Sequence, residues 1–218
     1  MTRAGVSRRA LLGLGALSVG AFGVGAWLRR GVPLGENIAD RIDVAAMAGA
    51  PGFPGEGPTN APIVMAVFSD YACGVCRQVE PWWRKAVREA GNVRVVHRDW
   101  PILGPQSLRA AQVALAADHQ GRYPPVHDTL MRSAGLSEPA LRAAAAEAGA
   151  DWERLESDLA THEVAIDSLL ARTAQDAQRL GFRGTPGFLI GPIRLEGGAS
   201  QRQFADAIER ARTAAGTG

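Results

Sequence analysis

The chain has 218 residues, 46% hydrophobic and 21% charged, which excludes disordered, collagen-like and polytopic membrane classes and suffices for one domain with a single core. The formal charge of +2 comes from the leading segment: Arg3, Arg8, Arg9, Arg29 and Arg30 lie there without any Asp or Glu, and without them the body stands at −3. A mildly acidic body offers phosphate backbones no footprint, so no nucleic-acid partner is expected.

In chain order, Ser7-Arg8-Arg9 precedes an uncharged stretch from Ala10 to Leu28. This pattern predicts that residues 1–30 are a signal peptide or membrane anchor of twin-arginine type, with an ordinary secretory signal as the alternative. An extracytoplasmic location follows, with residues 10–28 as the anchor if the segment is not cleaved. Residues 31–62 are rich in Gly and Pro and read as an irregular lead-in or linker, with a short helix near 38–47.

The domain is expected over residues 63–214. Ile63 to Phe68 is a continuous apolar run, as in a strand buried on both faces. A helix should run from about Cys73 to Ala90 and stop near Gly91-Asn92, with Pro81 as a kink, followed by a strand from Asn92 to His97. A helical block follows at about 105–180, with Ser107, Ser137 and Asp151 as N-caps and Gly121, Gly149 and Gly181 as stops. Phe188 to Ile190 and Ile193 to Leu195 form two strands about Gly191-Pro192. Ser200 caps a last amphipathic helix that buries Phe204, Ala207, Ile208 and Ala211.

The two cysteines, Cys73 and Cys76, are the whole complement. One pair excludes a disulfide framework and a four-thiolate zinc site. Opening a helix, Cys73 sits where unpaired N–H groups and the helix dipole favour a thiolate, and Cys76 lies one turn on, within reach of a mixed disulfide formed there. A half-zinc site, a Cu(I) site and a structural disulfide are the alternatives. His97, His119, His127 and His162 show no ligand spacing, and a loop this short gains little from a disulfide.

The stretch Phe68-Ser69-Asp70-Tyr71-Ala72-Cys73-Gly74-Val75-Cys76, with Asn60-Ala61-Pro62 before it, Pro81 after it, the segment from Arg98 to Pro105, and Gly184-Thr185-Pro186-Gly187-Phe188, resembles the DsbA-like branch of the thioredoxin superfamily. The likeness covers roughly residues 48–212. It implies an α/β, thioredoxin-like fold with a helical insertion, and an enzyme that exchanges disulfides with cysteine-containing exported proteins. It implies no cofactor beyond a redox-active Cys73–Cys76 disulfide, and a redox partner that recycles it. Thr185 and Pro186 would form the substrate-binding loop, with a cis-proline facing the disulfide and the backbone beside it pairing with a bound peptide. Trp82, Trp83 and Trp100 read as core packing before they read as a peptide groove. The chain departs from the pattern at Gly74-Val75, where strongly oxidising members often carry Pro-His, and at Phe188, where a small polar residue is common. Oxidase, isomerase and reductase directions therefore stay open.

Overall fold

The computed structural model describes residues 34–40 and 43–216. The signal or anchor expected at residues 1–30 lies outside them. Among the described residues no helix is long and apolar enough to cross a membrane.

The apolar run becomes β3 (Ile63–Ser69), the central strand. Its alternation divides the core as a period of two demands. Ile63, Met65 and Val67 join one buried cluster, while Ala66 and Phe68 join another. β4 (Val93–Asp99) pairs parallel with β3, and β5 (Gly187–Ile190) pairs antiparallel on its other side. β6 (Ile193–Glu196) continues the sheet beside β5.

The lead-in is a correction to the expectation of a linker. Its β1 (Glu36–Asn37) pairs with β6 and its β2 (Gly55–Glu56) pairs with β4, forming the two edges of a six-stranded sheet in the order β1-β6-β5-β3-β4-β2. Between them lies α1 (Val44–Ala48), at the end of the stretch where a short helix was expected. Two-residue strands carry no periodicity, and Gly and Pro are tolerated at sheet edges, so composition alone misreads them.

Helix α2 (Gly74–Ala90) and α7 (Gln201–Ala214) cover one face of the sheet, burying Val79, Trp83, Phe204, Ala207 and Ile208 against Met65, Val67 and Phe188. α2 runs on through Pro81 to a stop at Gly91. Ser200 and Gln203 form a full capping box at the start of α7. The insertion consists of α3 (Pro105–Asp118), α4 (Tyr123–Arg132), α5 (Glu138–Glu147) and α6 (Trp152–Arg179). α6 is 28 residues long, roughly 42 Å at 1.5 Å per residue, enough to serve both the insertion and the domain body. Its Ile166 packs in the helical core and its Ala177 against the sheet. Asp151 caps α6 through the N–H of Arg154, whereas Ser107 is no cap. α3 is capped three residues earlier, at Gly104, and begins at Pro105, whose fixed φ suits a first helical position, and this turns Ser107 inward.

Candidate active site

Sheet register builds the site. Phe68 near the end of β3 lies opposite Gly187 at the start of β5, so the loop before Gly187 meets the turn after β3 although the sequence separation exceeds one hundred residues. A side chain at Gly187 would run into the Phe182 ring at 2.9 Å, which keeps this crossing close. The Thr185–Pro186 peptide is cis.

Cys73 is the N-cap of α2, with extended backbone, and its N–H donates to the Asp70 carbonyl at 3.0 Å. Its Sγ accepts the Cys76 N–H at 3.2 Å and lies 3.4 Å from the Thr185 carbonyl oxygen. Both thiols are free; Cys73 is 7% exposed and Cys76 2%. Donation from the Cys76 thiol, helped by Thr185 and the N–H groups of Cys76 and Val75, outweighs burial and lowers Cys73 from its ordinary 9.0 to about 6. Cys76 moves strongly upward, first because Cys73 holds its proton in the shared hydrogen bond and then because it is buried. The pair therefore holds one thiolate and one thiol near neutrality, with the thiolate on the outer sulfur.

The acidity is directly measurable. Because the Cys73 pKa is depressed to about 6, alkylation of the reduced protein by iodoacetamide should rise about tenfold per pH unit below 6 and level off above about 7. A rate still rising through pH 8 would contradict it.

The sequence-predicted residues Cys73, Cys76, Thr185 and Pro186 thus meet at one place. Two other features lie outside that set. The buried Asp70 carboxylate accepts four hydrogen bonds, from Ala72 N–H at 2.7 Å, Ile102 N–H at 2.8 Å, Leu103 N–H at 2.9 Å and Ser107 Oγ at 2.6 Å. Behind the turn lies a buried polar chain. The Tyr71 hydroxyl bonds His127 Nδ1 at 2.9 Å, His127 Nε2 lies 3.3 Å from Glu80, and the Tyr123 hydroxyl donates to the Asp99 carboxylate at 3.1 Å. His97 stacks obliquely on His127 with centroids 4.4 Å apart and bonds Glu56 at 2.7 Å. Burial, with His127 beside it, lowers His97 to about 4, so it is neutral at physiological pH. Burial raises Asp99 to about 6. Only the spacing of Glu80 to Arg84, one helical turn, hinted at any of this.

Glu80, His127 and Asp128 bring ligand atoms within 4.8 Å of one another, a spacing that suits a metal ion. Arg84 bridges Glu80 and Asp128, so a guanidinium already faces both carboxylates. Among the tryptophans, Trp83 and Trp100 are core residues as expected, while Trp82 is 39% exposed.

A family model described as Thioredoxin matches residues 54–210, most of the chain. The chain belongs to the thioredoxin family. Its fold is shared with solved DsbA-like proteins. A thioredoxin-like oxidoreductase from Silicibacter pomeroyi DSS-3 is 35% identical and superposes with a TM-score of 0.74, covering 79% of this chain and 99% of that one. The thiol-disulfide exchange protein alpha-DsbA2 from Wolbachia pipientis shares the fold at 22% identity and a TM-score of 0.73, over 80% of this chain and 93% of that one. Among curated proteins, the Na(+)/H(+) antiporter NhaA 1 of Salinispora arenicola (strain CNS-205) is 30% identical over 158 residues, 71% of this chain. The match takes in 24% of that antiporter, so the chain spans about a quarter of the length of the curated relatives it matches.

Proposed function

We propose that this protein is an exported thiol:disulfide oxidoreductase that exchanges disulfides with cysteines of other proteins. The observation that carries the reading is the unequal pair: Cys73 at a helix start, its Sγ taking the Cys76 N–H at 3.2 Å and lying 3.4 Å from the Thr185 carbonyl oxygen, with the more deeply buried Cys76 one turn on. In the oxidising direction a client thiolate attacks Cys73 Sγ of the Cys73–Cys76 disulfide. The S–S bond breaks, its electron pair leaves on Cys76, and Cys76 takes up a proton. A second client thiolate then attacks the client sulfur of the mixed disulfide, expelling Cys73 as the thiolate its surroundings stabilise. Client and enzyme have exchanged two electrons, and a redox partner must reoxidise the pair. Run backwards, Cys73 attacks a client disulfide and Cys76 resolves the product. Thr185 and Pro186 hold the client backbone beside the sulfur, and no cofactor takes part.

Export rests on Ser7-Arg8-Arg9 and residues 10–28. Fractionation of a tagged full-length protein should recover it outside the cytoplasm, and recovery of full-length chain from the cytosol would contradict the reading. Refolding of a scrambled disulfide-bonded substrate, paired with insulin reduction, tests the chemistry. Catalysis of either is expected. A protein that binds one equivalent of Cu(I) and turns over neither substrate would overturn the assignment.

A further inference from the structure

Arg77 stands directly after Cys76, and its half-buried side chain is folded back along the redox turn. Its backbone N–H bonds the Cys73 carbonyl at 3.2 Å, and its Nε–H donates to the Tyr71 carbonyl, two residues before Cys73, at 2.7 Å. Nη1 donates to the Ser133 carbonyl in the loop between α4 and α5. Both side-chain partners are neutral. Among the described residues no carboxylate lies within ion-pair distance of this guanidinium, whereas Arg84, Arg98 and Arg109 each face at least one. Asp70, the acid on the same turn, is buried and already receives four hydrogen bonds. Nη2 bonds nothing among the described residues and is not buried, so part of an anchored cation stays open to solvent beside the redox pair.

We infer that Arg77 is a specificity-determining residue that receives a carboxylate flanking the reacting cysteine of a client. The inference rests on the proposed exchange with protein cysteines, and it names the preferred substrates as segments with Asp or Glu beside the cysteine. A guanidinium already fixed on two carbonyls loses little side-chain freedom when an anion arrives, and its remaining N–H groups offer charge-assisted hydrogen bonds. The Cys73 thiolate and a client carboxylate also repel one another on approach, and a cation four residues along the helix from Cys73 offsets that repulsion. Because the group is partly open to water, the preference is modest and is screened by salt.

The test uses fluorescent peptide disulfides that differ only in Asp, Asn or Lys beside the cysteine, with bis(2-hydroxyethyl) disulfide as an uncharged control, on pre-reduced full-length wild type, Arg77→Lys and Arg77→Gln. In each reaction two electrons pass from the Cys73–Cys76 dithiol to the substrate: its S–S bond breaks, the Cys73–Cys76 bond forms, and the released sulfurs take up the protons the pair gives up. At about 0.01 M salt, wild type should reduce the Asp peptide with a second-order rate constant at least about threefold that of the Asn peptide, with the Lys peptide slowest, and about 1 M salt should bring the three together. Arg77→Lys keeps the charge but loses the fork, so it should lower the Asp-to-Asn ratio and keep the order, while Arg77→Gln should bring the ratio near one. A role confined to bracing the turn lowers every rate by one factor, the uncharged control included, and keeps the ratio. A ratio retained in Arg77→Gln, no preference in wild type, or a preference unchanged by salt would overturn the inference. If Arg77→Gln fails to fold, Arg77→Lys decides, and an unchanged ratio there would overturn it. Turnover of the uncharged disulfide without turnover of any peptide would instead overturn the proposed function beneath it.

Discussion

Changing Cys76 to Ser should cause mixed disulfides with client proteins to accumulate, roughly tenfold or more over the Cys73→Ser variant, on non-reducing gels of cells expressing each. In the wild type at pH 7 a thiol of pKa about 6 is about 90% ionised, whereas an unperturbed one of pKa 9.0 is about 1% ionised, and in Cys76→Ser a serine hydroxyl stands in for the Cys76 thiol donor. Intrinsic nucleophilicity falls with pKa by a Brønsted factor of about 0.4–0.5 per unit, which cancels much of that advantage but not all of it. Access then decides the matter. Cys73 caps α2 and is 7% exposed, whereas Cys76 lies one turn in and is 2% exposed, so a client sulfur reaches the first more readily than the second. Without Cys76 the mixed disulfide has no resolving thiol one helical turn away and persists. Equal trapping by the two variants would sink the division of roles.

The second large effect is on stability. Arg98 is a fully buried cation on β4, bonded to the Asp176 carboxylate on α6 and, at 3.1 Å, to the Met47 carbonyl on α1. Its guanidinium lies over the Phe53 ring, 3.7 Å from the centroid, with Phe68 on another side. One side chain thus ties the lead-in, the sheet and the long helix together. Arg98→Ala leaves the half-buried Asp176 charge without its main partner and opens the space between the rings, which should cost about 3–5 kcal/mol. For a domain this size that corresponds to a melting temperature lower by roughly 10 °C. Arg98→Met combined with Asp176→Leu removes both charges and should recover most of the loss, because the attraction in the pair is largely offset by desolvation. Urea unfolding of the three proteins measures it, and a cost below about 1 kcal/mol for Arg98→Ala would show that the lead-in is held some other way.

What could be read from sequence was what local rules govern. β3, α2, β4, the β5–β6 hairpin and α7 follow from apolar runs, glycine stops and the Ser200 cap, and the redox pair from its place at a helix start. The resemblance supplied what local rules could not, namely that Thr185 would lie against Cys73. Long-range polar pairing stayed hidden. Nothing near Asp70 announces that its carboxylate will receive Ile102, Leu103 and Ser107, and nothing near His97 or His127 announces that their rings meet, because each contact depends on the packed insertion. The edge strands β1 and β2 failed for a related reason: at two residues each, their pairing is set by the partner strand.

The central claim is that Cys73 and Cys76 form a redox couple whose poise the surroundings of Cys73 set. Gly74-Val75 adds no charge or side-chain donor to the help already given by the helix start and the Thr185 side chain, so the reduced form is stabilised only in part. Equilibrating the protein in glutathione buffers, trapping free thiols and weighing the products gives the potential directly. The account predicts a single two-electron transition between about −270 and −120 mV, raised by tens of millivolts in Val75→His, at about 30 mV per 1.4 kcal/mol. Two cysteines that stay reduced in every buffer, or a wild-type transition at or above the oxidising end of that range, would contradict it.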